Sequence, residues 1–88
     1  MSTTFQGAKI REQGVSFAIV IVKEYVLQSH TESIDACRSF RAFFPGLPII
    51  LMAQDSRGIP SYYGRKDIVS FLVGISMDRI PWKQYTFS

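Results

Sequence analysis

A single cysteine excludes a disulfide framework and any Cys-rich zinc module. A single histidine excludes the usual multi-histidine metal sites. Long apolar runs are also missing. The longest, Phe17 to Val22, falls far short of the ~20 residues that a membrane-spanning helix needs. Met1-Ser2-Thr3-Thr4 leads into Phe5 with no basic or apolar targeting segment. Excess charge of one sign is slight: ten Lys/Arg against seven Asp/Glu give a net charge of +3. The basic residues are spread along the chain and only Arg65-Lys66 are adjacent, so no basic stripe marks a nucleic-acid binder. A phosphate-cradling Gly-rich loop, a His-Glu metal pattern and a close carboxylate pair are all absent.

What remains is an 88-residue chain, 47% apolar and 19% charged, with seven Phe, four Tyr and one Trp. That balance is enough for one folded domain spanning 1–88. A lone thiol without a partner suits a reducing cytoplasm. The expectation is a small cytoplasmic domain with no membrane segment.

Val15 to Lys23 (VSFAIVIVK) is rich in β-branched residues and almost wholly apolar. This is the strongest strand signal, and its continuity requires cover on both faces. Phe5 to Gln13 is of mixed polarity and reads as a short edge strand, closed by Gly14. Ser29-His30-Thr31-Glu32 fits a capping box that opens a helix. Ile34, Cys37, Phe40 and Phe44 then share a stripe, and Pro45-Gly46 ends the helix. Tyr25 to Leu27 fits either an extra turn or a continued strand.

Pro48 to Ala53 is a second apolar strand, and Gln54 to Gly58 reads as a hairpin turn. Ile59 to Tyr63 returns as a third strand, placed at an edge by Pro60. Asp67 is positioned to cap a second helix, with Ile68, Phe71, Leu72 and Ile75 on its apolar face. Trp82 to Phe87 alternates as a last strand, with Tyr85 and Phe87 on one face. The predicted order is (β)βαββαβ: an α/β (α+β) domain with a central mixed sheet and two helices. A ferredoxin-like sandwich uses this order with both helices on one face.

Leu47-Pro48 before a strand, the hairpin strands Ile49 to Ala53 and Ser61 to Gly64, and the helix from Asp67 to Leu72 together resemble the C-terminal half of thioredoxin-like domains. The resemblance covers residues 47–75. It implies a thioredoxin-like sandwich as the other architecture. The chain lacks Cys-x-x-Cys, so the resemblance carries no redox activity with it.

Cys37 is the one candidate nucleophile. Its place on the apolar stripe makes it a packed thiol, and His30, two turns away, is too far to activate it. Arg57, a donor fork on a hairpin tip, suits a carboxylate or phosphate. Arg65 and Lys66 at a helix start form a second anion-binding candidate. About 15 Å of strand separates these two, so they do not form one site. Tyr62 and Tyr63 put one ring on each sheet face, as in base-stacking sheets, but the matching aromatic-and-Gly motif is missing. No cofactor or metal is expected.

The expected function is therefore non-catalytic binding or assembly. The alternatives are an anion or nucleic-acid binding module and a degenerate thioredoxin-like protein. If both helices pack on one face, the other face stays apolar and a second copy covers it, so a homodimer is expected.

Overall fold

The apolar run at Val15–Ile21 forms strand β2, and Ile49–Gln54 forms β3, its parallel neighbour. Both lie in the middle of a five-stranded sheet of order β4-β3-β2-β1-β5. In this computed structural model residues 3–12 and 14–87 are described. β1 spans Thr3–Glu12, β4 Pro60–Tyr63 and β5 Lys83–Phe87. Three helices, α1 (Glu24–Gln28), α2 (His30–Phe40) and α3 (Lys66–Val73), and a 3-10 turn at Met77–Arg79 complete the fold. Met1, Ser2, Gln13 and Ser88, and the side chains of Thr3 and Phe87, lie outside the described residues.

Alternation along the central strands creates two cores. Phe17, Ile19, Ile50 and Met52 face Ile68 and Leu72 of α3. Ala18, Val20, Ile49 and Leu51 face the layer of α1, α2 and Phe44. The helices thus lie on opposite faces, unlike the ferredoxin-like arrangement with both on one. This removes the bare apolar face on which the expected homodimer depended. Among the described residues no helix is long and apolar enough to cross a membrane.

The parallel β2–β3 pair requires a crossover, which α1 and α2 supply. Ser29 ends the first and starts the second, in extended backbone. Its hydroxyl accepts from the Glu32 N–H at 3.3 Å. Its own N–H donates to the Val26 carbonyl at 3.4 Å, so only half of the expected capping box forms. The Ser33 hydroxyl donates to the same carbonyl at 2.8 Å and is wholly buried. That bond turns Ser33, Ala36, Cys37 and Phe40 inward and leaves Ile34 38% exposed, against the expected stripe. The helix also stops at Phe40 rather than at Pro45. Turns carry the chain on to Phe44.

Phe5 organises the α2 face. Its ring lies 4.9 Å from Phe40, 5.4 Å from Phe43, 6.1 Å from Phe44 and 5.3 Å from Tyr85, where it stacks. This cluster holds the paired part of β1 against its cover. The expected edge strand has β2 on one side and β5 on the other, the two ladders overlapping at Gly7. The pairing is unequal along its length. β2 pairs Gly7 to Glu12, whereas β5 pairs only Thr3 to Gly7.

Candidate functional site

The cationic residues picked out from sequence are separated. Arg57 sits on the β3–β4 turn. Asp55 Oδ1 accepts from the N–H groups of Arg57 at 2.8 Å and Ile59 at 3.0 Å, closing an Asx turn with Gly58 at φ 81°. Its backbone serves the turn and its side chain is exposed.

Arg65 and Lys66 lie beyond the other end of β4. Gly64 before them presses on β3: a Cβ there would run into Ile50 Cδ1 and lie 3.2 Å from the Ile49 carbonyl. Arg65, not Asp67, occupies the N-cap of α3, and no side chain caps this end. Asp67 falls in the first turn, where its charge suits the helix dipole. Arg65 grips it through two donors, Nη2–Oδ2 at 2.7 Å and Nε–Oδ1 at 3.2 Å. This hydrogen bond, helped by the guanidinium charge, holds the Asp67 carboxyl below its ordinary range. Arg65 thus already has an anion, its own neighbour. Lys66 remains beside Tyr62, Tyr63 and Val69 in an open groove of about 340 Å³.

Cys37 and His30 point to different partners. Cys37 Sγ donates weakly to the Ile49 carbonyl at 4.0 Å. Burial raises its thiol pKa, partly offset by the charge of Arg41. His30 Nδ1 lies 3.4 Å from the Tyr63 hydroxyl. Among the described residues no three of His, Cys, Asp and Glu converge as a metal site.

The arrangement missed from sequence is beside β1. After α3 the chain passes through Ile75, Arg79, Ile80 and Pro81 before β5 begins at Lys83. The Trp82 N–H turns back onto the Ile80 carbonyl at 2.8 Å, and its indole N–H donates to the Met77 carbonyl at 3.2 Å. These bonds hold Trp82 away from the ladder, and Pro81 has no N–H to offer it. The second half of β1, Ala8 to Glu12, consequently has β2 on one side and, among the described residues, no strand on the other.

A groove of about 300 Å³ runs along this open edge, lined by Lys9 to Glu12, Ile75 and Arg79 to Pro81. Alternation places Lys9 and Arg11 on the α2 face, where Lys9 Nζ stands 6.0 Å from the Phe44 ring centre. Ile10 packs on the α3 face with Ile80. Three cations and one carboxylate therefore rim a partly apolar floor. The sequence signal was the Lys9-Ile10-Arg11 alternation together with Pro81 delaying the last strand.

Comparison with protein families, curated proteins and solved structures finds no match to this chain.

Proposed function

We propose that this chain is a non-catalytic binding or assembly domain whose ligand is acidic and docks beside the open half of β1. The observation that carries this reading is the groove rimmed by Lys9, Arg11 and Arg79 along an unpaired strand edge. The chemistry-bearing side chains support it from the other direction. Cys37 is half-buried with a raised thiol pKa, and His30 faces Tyr63. A lone thiol of this kind fits a reducing, cytoplasmic setting.

The test is binding of a fluorescent oligo-glutamate peptide, with oligo-glutamine as the neutral control. Binding is expected to weaken as salt rises. It should fall at least tenfold when Lys9, Arg11 and Arg79 are changed together to Gln. Equal binding of both peptides, or of neither, contradicts the reading. A second reading, nucleic-acid binding, rests on Lys66 sharing its groove with Tyr62 and Tyr63. It predicts binding of a labelled single-stranded oligonucleotide that Lys66→Gln weakens.

The non-catalytic part of the proposal is checked separately on Cys37. Alkylation should be slow in the native protein at neutral pH and speed up on denaturation. Fast native labelling would reinstate a nucleophilic role.

A further inference from the structure

We infer that the open half of β1 captures an extended acidic segment of another protein by strand addition, and that the segment reads acid–apolar–acid at alternate positions. This rests on the binding reading above and specifies its ligand.

Successive residues of a β-strand turn their N–H and C=O groups to opposite sides. Between Ala8 and Glu12, the groups turned away from β2 have no hydrogen-bond partner among the described residues. Exposed edges of this kind are templates for another strand. The sheet has two other free edges, the outer sides of β4 and β5. β4 is four residues long and starts with Pro60, and β5 is five residues long. At Ala8–Glu12 the edge comes with a floor and a rim. An incoming strand would lie in line with β5, in the space β5 leaves unfilled.

The rim specifies the side chains. Directly opposed residues of an added strand share a face with their partners. Residues opposite Lys9 and Arg11 meet two cations on the α2 face, and both of those side chains are exposed. The residue between them meets Ile10 and the groove formed by Ile75, Ile80 and Pro81 on the α3 face. Arg79 adds a third positive charge on that side. Glu12, the one acid of the rim, stands at the end of the edge and disfavours an acid directly opposite it.

A second copy of this edge is the wrong occupant. Antiparallel self-pairing centred on Ile10 would set Lys9 against Arg11 twice, and like charges directly opposed are destabilising. Edge lysines commonly serve to keep copies apart. Here that repulsion also selects a strand of opposite charge. The chain has no segment of its own to fill the place: its seven acids, at 12, 24, 32, 35, 55, 67 and 78, include no pair two residues apart.

The experiment compares three capped eight-residue peptides by fluorescence anisotropy. One alternates glutamate and valine, one has the same composition with the glutamates in a block, and one alternates lysine and valine. The alternating acidic peptide is expected to bind at least tenfold more tightly than the block peptide and to slow amide exchange between Ala8 and Glu12. The double reversal Lys9→Glu with Arg11→Glu should lose that peptide and gain the lysine–valine one. Both side chains are exposed, so an unchanged melting temperature will show that the fold is retained. Equal binding of the two acidic peptides overturns strand addition while leaving the acidic-ligand reading standing. Binding of no acidic peptide overturns both. Protection at Gly64 to Asp67 instead of β1 also overturns this assignment.

Discussion

The two halves of β1 are continuous in chain and opposite in circumstance. Thr3 to Gly7 pairs with β5, with the Phe5 ring inside an aromatic cluster. Ala8 to Glu12 pairs with β2 instead, leaves the β5 side open, and exposes Lys9, Arg11 and Glu12. The difference begins outside β1. Ile80-Pro81-Trp82 turns away from the ladder, so β5 is half the length of the strand it joins. The half beside β5 is anchored by Phe5 in the aromatic cluster. The half beside β2 alternates packed Ala8 and Ile10 with exposed Lys9, Arg11 and Glu12 along the groove.

The sharpest way to break this contrast is substitution along the strand. Phe5→Ala removes the centre of the cluster and should cost about 3–5 kcal/mol in chemical denaturation. Ile10 is only partly buried, and Ile10→Ala should cost about 1–2 kcal/mol. Lys9→Gln with Arg11→Gln should stay within about 0.5 kcal/mol of the parent. Equal losses at Phe5 and Ile10 would mean that the outer half is as firmly packed as the inner half.

A smaller effect separates cations that are already matched from those that are not. Arg65 and Asp67 form the only ion pair among the described residues, with both side chains more than half exposed. The folded Asp67 pKa is depressed, chiefly by the Arg65 hydrogen bond. The pair's contribution is therefore complete above the ordinary carboxylate pKa and is lost as pH falls through the lowered one. At this exposure the loss is slight. The Asp67 carboxyl resonance should titrate below the ordinary aspartate range and move back up in Arg65→Gln. An unshifted titration would mean that Arg65, like Arg11, is free to take an external anion.

Much of this architecture could be read from residue patterns. The continuous apolar run of β2 announced a strand covered on both faces, and that of β3 a second apolar strand. Pro60 placed β4 at an edge, and Ile68 and Leu72 named the buried side of α3. These signals are local, or set by one layer of cover. The candidate site depends on something else, the relative lengths and register of two strands 76 residues apart at the register pair Gly7 and Lys83. β1 looked like an edge because of its mixed polarity, and its outer half is one. Its inner half gains β5 as a neighbour. Likewise Ile34 fitted a helical stripe, but the buried Ser33–Val26 hydrogen bond fixed a different rotation. Asp67 had the chemistry of a cap, yet Arg65 takes the N-cap and Asp67 stands two residues further in, within the first turn.

Residue-resolved amide exchange along β1 in the free protein tests the central claim most directly. The account predicts slow exchange at Gly7, the one described position of β1 paired with both β2 and β5. Between Ala8 and Glu12 it predicts alternation, with amides that face β2 protected and those that face the groove exchanging fast. Uniform, core-like protection from Phe5 to Glu12 would contradict it, because the outer edge would then already have a partner.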